Sequence, residues 1–417
     1  MKFFCPIACF IFIFSSVAAG EETVTLSSLI EEAQKNNPAL TALRLHQETV
    51  KEEISQSTFL DDPQLTLTQW GIPRDLNIGR SDQTWLGIEQ SFPYPGKRLL
   101  KRKIATNDWE IAQQEYQAKR LEVTAEIESA YYNLLLIDKT IDLHQEHQSI
   151  LNEFVEIAEK KYAVGQATQQ DLLKAEVELA KLHNGRLTLG QDRIVTRAKI
   201  NALLNRPDST PIGRPEQLAY RPLPFLYDTL TQEALNNQNN LKSARFRVEK
   251  SEAMKTLTKK ATLPDFTIGL SYWNVHGGTS PASDENQWMA MGKMNLPWVF
   301  GEKYNAKNRI AALEEDTAKA EYNALKNETL SQIKTIFTKI KTDEQLMDSY
   351  ENNLIPLAKQ SLAAAQIGYQ SGKTDFLNFI DSQRTLLDLQ MEYYMQLTDY
   401  WQQVAMLSPL IGNEINP

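Results

Sequence analysis

The residues of this chain that could bind a metal or attack a substrate are few. Five histidines occur, His46, His144, His147, His183 and His276, with two cysteines, Cys5 and Cys9. His144 and His147 stand three apart in a long helical run and share a face. A metal centre needs further ligands and outer partners, so neither a metal site nor a cofactor is assigned. Met289, Met291 and Met294 are soft enough to attract Cu(I) or Ag(I). Met289 and Met291 share a strand face while Met294 points the other way, and packing against lipid or a core is the better reading. No G-x-S-x-G elbow and no phosphate-cradling glycine loop is present. The chain does not read as an enzyme.

Two carboxylates sit where chemistry of another kind could occur. Tyr162–Glu176 reads YAVGQATQQDLLKAE and Tyr369–Gln383 reads YQSGKTDFLNFIDSQ, each with a glycine three residues after the tyrosine. Asp171 follows Gly165 by six positions, and Asp381 follows Gly372 by nine. Where copies meet around a water-filled path, each position becomes a ring, and carboxylate rings attract and select cations. The plainer alternative is a solvated residue at a helix start, where aspartate suits the macrodipole.

These turns join very long helical patterns. From about Leu99 to Tyr162 there is neither proline nor glycine, enough for a helix of roughly 95 Å at 1.5 Å per residue. The second run, about Tyr304 to Tyr369, contains Pro356, which marks a break or kink. After each glycine turn the chain reverses into another helix, about Gln169–Asn205 and Asp375–Met406. Long antiparallel hairpins of this kind make sense as coiled coil.

The layout is duplicated. Leu29–Ala33 aligns with Leu230–Ala234, Pro63 with Pro264, and SFPYPGKR with NLPWVFGEK. Units this long are no solenoid repeat. The expected organisation is a signal peptide at 1–20, a first repeat at 21–205, a Pro-rich linker at 206–226, a second repeat at 227–412 and a tail at 413–417. The leader is read from Lys2, a short apolar core and the small exit residues Ala18, Ala19 and Gly20. Its removal takes both cysteines, leaving no disulfide and no attachment point for a lipid anchor. A net charge of -9 argues against a nucleic-acid partner, and mean hydropathy is low at -0.43.

Each repeat opens with a helix, about Ser27–Leu60 and Thr229–Thr262, followed by two strand-like segments. Pro63–Trp70 and Phe266–Trp273 alternate cleanly, with Thr84–Phe92 and Gln287–Leu296 as their partners in two hairpins. Trp70, Trp85, Tyr272, Trp273 and Trp288 lie near the loop ends, as in a membrane-interface girdle. Four strands cannot close a barrel, and open edges are not tolerated in lipid, but three chains would give twelve strands. A small soluble sheet with buried tryptophans is the competing reading. Lys97, Arg98, Lys101, Arg102 and Lys103 crowd the start of a long helix, where cations oppose the dipole. Lipid phosphate would offset this; a solvated basic turn is the alternative.

Taken together, LIEEAQKNNPAL, FPYPGKR, YAVGQATQQDLLKAE and the stretch from NLIPLAKQSL to FIDSQRTLLDLQ resemble the outer-membrane efflux (TolC-like) family, most closely its heavy-metal cation branch. The resemblance implies a mainly helical fold with a small β part. Tandem coiled-coil repeats and four transmembrane strands per chain would build a homotrimeric 12-stranded barrel continued by a helical barrel. It implies a passive exit duct in the outer membrane of a Gram-negative bacterium, reaching into the periplasm. Its partners would be outer-membrane lipid, a periplasmic adaptor (membrane fusion) protein and an inner-membrane pump of the resistance-nodulation-division type. Alternatives are a drug or type I protein-secretion duct, or a periplasmic coiled-coil protein without a barrel.

By resemblance, Asp171 and Tyr369 match a gate pair across neighbouring hairpins, and Asp381 matches an entrance ring. Asn378 stands where the companion aspartate is expected, and Thr374 where an arginine is expected. The hairpin tips, Val164, Gly165, Gln166, Ser371, Gly372 and Lys373, would dock the adaptor.

Overall fold

The computed structural model describes residues 23–78, 81–216, 220–223, 225–275 and 287–415. The expected leader and the whole loop after the third long strand, His276 included, lie outside them. In chain order the first half comprises β1 (Thr23–Val24), α1 (Leu26–Asn36), α2 (Pro38–Thr58), β2 (Gln64–Trp70), β3 (Gln83–Phe92), α3 (Lys97–Ala163) and α4 (Gln169–Leu203). After β4 (Arg214–Pro215) the order recurs as α5 (Tyr227–Asn237), α6 (Asn239–Lys260), β5 (Phe266–Val275) and β6 (Gln287–Met294). A short 3-10 turn (Pro297–Phe300) leads into α7 (Gly301–Ser349), a π-helical turn (Tyr350–Leu354), α8 (Ile355–Gln370) and α9 (Phe376–Ile411).

Each expected opening helix is in fact two. Asn37 holds an extended backbone, and its side chain accepts from the N–H groups of Ala39 and Leu40 at 2.9 and 3.3 Å. Pro38 has no N–H to continue the preceding helix, so the chain restarts here. The second half breaks at the matching point, where Gln238 accepts from Leu241 N–H at 2.9 Å.

The long helices follow expectation in extent. α3 runs for 67 residues, close to the length expected. Its counterpart is interrupted as Pro356 requires, because the proline ring crowds the carbonyl one turn earlier and supplies no N–H. The chain absorbs this by widening into the π-helical turn just before it.

The described residues form two compact units. One contains the residues up to Ala33 with Ile127–Tyr220 and Leu346–Asp399. Its core lies along α3, α4, α8 and α9, where Leu151, Phe154, Ala175, Phe376 and Phe379 are buried. Phe154 stacks flat on Phe379 with centroids 3.4 Å apart. In the same unit β1 pairs in parallel with β4. Tyr131 ties that pair down, donating to the Val24 carbonyl at 3.1 Å and accepting from Glu216 N–H at 2.8 Å. The alternation rules gave no hint of these two-residue strands.

The other unit contains Gln34–Glu126, Arg221–Gln345 and the residues from Tyr400. It holds a 4-stranded sheet in the order β2-β3-β5-β6. Every neighbouring pair is antiparallel, so the two expected hairpins are joined through β3 and β5.

Candidate functional site

Strand register sorts the sheet into two unlike faces. One row runs Leu67, Leu86, Tyr272, Trp288 and the next Leu65, Ile88, Leu270, Ala290. Below them lie Ile268 and then Phe92, Phe266 and Met294. The six leucines and isoleucines on this face are 46% to 73% exposed. An apolar surface four strands wide and open on this scale calls for a covering.

The opposite face carries Gln64, Thr66, Thr68, Glu89, Ser91, Thr267, Ser271 and Lys293. Lys293 donates to both Glu89 oxygens at 2.8 Å, and the Ser91 and Thr267 hydroxyls bond at 2.9 Å. A sheet apolar on one side and hydrogen-bonded on the other is what a barrel wall between lipid and water requires.

The same register corrects part of the aromatic expectation. Tyr272 and Trp288 lie on the apolar face, their rings 5.2 Å apart. Trp70, Trp85 and Trp273 lie on the polar face, Trp85 directly opposite Trp273 at 5.4 Å. Closeness to a loop suggested a girdle, but alternation decides which face of the sheet a residue occupies. Met289 and Met291 also stand on the polar face, and Met294 on the apolar one, as alternation required.

Where sheet meets helices, Lys97 is not available to lipid, which corrects its reading as an interface cation. It is buried, donating to the Asp265 carboxylate at 2.8 Å and the Leu263 carbonyl at 2.9 Å. Asp265 also accepts from Tyr94 N–H at 2.7 Å, while its own N–H donates to the Asn295 side chain at 2.6 Å. This one carboxylate therefore joins the start of α3 to the foot of β5, across the two halves of the chain. Nothing local in the sequence marks it. Arg98 donates to the Thr58 carbonyl from two of its nitrogens, and Lys101, Arg102 and Lys103 are exposed.

The hairpin tips are twins. Gly165 and Gly372 both have φ +74°, the left-handed region that favours glycine. Gly165 N–H reaches the Tyr162 carbonyl at 2.9 Å and Gln166 N–H the Lys161 carbonyl at 2.8 Å. Gly372 N–H reaches Tyr369 and Lys373 N–H reaches Gly368 in the same pattern, at 3.1 and 2.8 Å. Val164, Gln166, Ser371 and Lys373 are exposed. After the first tip Asp171 closes a capping box on α4: its carboxylate accepts from Thr168 N–H at 3.1 Å and its N–H donates to the Thr168 hydroxyl.

Tyr369 is buried between Phe154 and Phe376, with the Lys161 ammonium 4.8 Å above its ring. Its hydroxyl finds no hydrogen-bond partner among the described residues. Burial, and then the negative charge of Asp171, push its ionisation above the ordinary phenol value. Asp381 and Asn378 are exposed, and Asn378 N–H is held by the Asp375 side chain at 3.0 Å. Thr374 packs over Gly368, where a Cβ would meet its hydroxyl at 2.6 Å.

Sequence reasoning missed two ties between the hairpins. Arg384 of α9 grips both Glu178 oxygens of α4 through its Nε and Nη2, one edge of the guanidinium, and Lys181 adds a contact at 2.9 Å. Burial raises the Glu178 pKa, but the two cations outweigh it and hold the carboxyl below its usual range. His147 is fully buried, hydrogen-bonded on one nitrogen to Gln390 at 2.8 Å and on the other to Gln383 at 2.9 Å. It packs as a core histidine with both ring nitrogens engaged. Among the described residues no group of three or more ligating side chains converges.

Known proteins with the same organisation are readily found. The family described as "Outer membrane efflux protein" matches residues 29–206 and again 230–413. The "Cobalt-zinc-cadmium resistance protein CzcC" of Cupriavidus metallidurans is 23% identical over 407 residues, covering 96% of this chain and 92% of its own. The structure of CusC superposes with TM-score 0.80 at 15% identity, covering 93% of this chain and 92% of the other. VceC of Vibrio cholerae gives TM-score 0.78 at 19% identity, covering 93% and 96%. With both halves matched, the chain belongs to the outer membrane efflux protein family.

Proposed function

We propose that the protein is one protomer of a trimeric exit duct in a tripartite efflux system. An inner-membrane pump would deliver its cargo through a periplasmic adaptor. The observation that carries this reading is the sheet. Its apolar face is exposed and its outer strands, β2 and β6, each have a neighbour on one side only. In lipid such edges must be satisfied, and three copies of four strands close a ring of twelve. The cargo is heavy-metal cations; the similarity to a cobalt-zinc-cadmium resistance protein supports this branch.

The twin tips form the periplasmic mouth and the docking surface for the adaptor. Asp171 and Tyr369 hold that mouth closed, and Asp381 forms a cation-attracting ring just inside it. Asn378 and Thr374 supply neutral groups where a stronger electrostatic lock could stand. Lipid contacts the apolar sheet face, with Tyr272 and Trp288 at its margin and Lys101, Arg102 and Lys103 near the headgroups.

The test is recovery from the outer-membrane fraction as a heat-modifiable trimer, joined to the metal tolerance of a deletion strain. Loss of tolerance to cobalt, zinc or cadmium, restored by the gene, is the expected result. Recovery as a soluble periplasmic monomer would end the duct reading. Unchanged metal tolerance with new drug sensitivity would move the cargo to another branch.

A further inference from the structure

Bulk is unevenly distributed along the polar face of the sheet. Near the loop end Trp85 and Trp273 stand opposite each other in register, with Trp70 on the same face one rung further out. The next rungs inward carry no aromatic ring: Thr66, Gly87, Ser271 and Met289 form one, and Gln64, Glu89, Gly269 and Met291 the next. Gly87 lies so close to Ser271 that a Cβ would meet the serine hydroxyl at 2.7 Å, and Gly269 is packed against the Glu89 side chain. Neither indole N–H of the pair finds an acceptor among the described residues, so packing rather than hydrogen bonding holds the rings.

We propose that Trp85 and Trp273 form an aromatic collar at the outer mouth of the channel, narrowing the lumen there and setting the size of solute that passes. This rests on the trimeric-barrel reading, in which the polar face lines the lumen and the loops face outward. Three protomers then contribute six inward-facing rings from these two positions, immediately above two rungs that hold glycine, serine, threonine, glutamine, glutamate and methionine but no aromatic ring. Aromatic side chains ringing a pore limit it by their volume and by their reluctance to let it wet.

Cysteine labelling on intact cells tests it, since the only native cysteines, Cys5 and Cys9, fall in the expected leader. Ser91→Cys places a thiol on the polar face about 20 Å below Trp85, six strand residues away. A small membrane-impermeant maleimide should label it readily. A maleimide on a polyethylene glycol too large for general porins should label it slowly. Adding W85A and W273A should speed the large reagent selectively, leaving the small one unchanged. Gln287→Trp, which adds a ring to the same rung without removing any packing, should slow the large reagent further and decides the matter if the double variant fails to assemble.

Equal labelling by both reagents with the tryptophans in place would overturn the collar while leaving the barrel intact. So would no change in the large reagent's rate in an assembled double variant or on adding the Gln287 ring. A Ser91→Cys thiol that even the small reagent cannot reach would overturn the lumenal reading of this face, and the collar with it.

Discussion

At the two tips the backbone has the same dihedral and the same pair of closing hydrogen bonds, yet a Cβ at either glycine would meet open space. Only backbone strain opposes a larger residue there. Gly165→Ala and Gly372→Ala should therefore each destabilise the fold by about 1 kcal/mol, with similar shifts in thermal melting; a large difference between the two would show that one tip carries a packing role as well. Tyr369 offers a contrasting case, a buried hydroxyl unpartnered among the described residues. Tyr369→Phe should be tolerated by the protomer, whereas it and Asp171→Asn should raise single-channel conductance if the pair latches the mouth. Unchanged conductance in planar bilayers would remove both from the gate.

The Glu178–Arg384 tie has a definite pH sense. The folded carboxyl is held below its ordinary value of 4.5. Its stabilising contribution is complete above that value and disappears as pH falls through the lowered one. Acidification should loosen the grip between the hairpins, and Glu178→Gln should flatten that part of the stability–pH profile. A profile identical to the parent's would show that the tie does not matter.

Among the elements, strands and long helices were readable because each obeys a local period, two for the strands and close to four for the helices. The breaks at Asn37 and Gln238 were less so, since a helical pattern continues on both sides and only the caps interrupt it. The tryptophans show a different limit. Leu86 and Ile88 already assign Trp85 to the opposite face, so the parity was present in the sequence; nearness to a loop suggested the wrong side. The Lys97–Asp265 clasp was beyond any local rule, because its partners are 168 positions apart.

Removing Asp265 leaves the buried Lys97 ammonium without its counter-charge, whereas removing Lys97 leaves a carboxylate that is 40% exposed and still accepts from Tyr94 N–H. Lys97→Met should weaken the junction between sheet and helix. The sign would be a lower thermal unfolding temperature, with Asp265→Asn, which leaves the buried ammonium uncompensated, producing the larger loss. Full heat stability in Lys97→Met would show that the hydrogen bonds from Tyr94 and to Asn295 suffice.

For the whole molecule the duplication explains why one chain supplies two hairpin tips and two strand pairs. It also explains why the halves have diverged: one long helix runs unbroken while the other carries a π-helical turn ahead of its proline. An efflux duct in the outer membrane needs no bond-making residue, which fits a chain in which His147 is held between two glutamine side chains, Asp171 caps a helix and Glu178 ties two helices together.

The one-sided outer strands also bear on genetics. In the proposed ring of three each protomer's β2 must meet a neighbour's β6, so a subunit with a proline in β2, such as Thr66→Pro, should spoil every ring it enters. If altered and normal copies are made equally and mix at random, only about one trimer in eight is wholly normal, by the arithmetic of a three-membered ring with heterologous contacts. An edge-blocking allele should therefore be dominant, lowering metal tolerance in a strain that still carries the intact gene, whereas a null allele should be recessive.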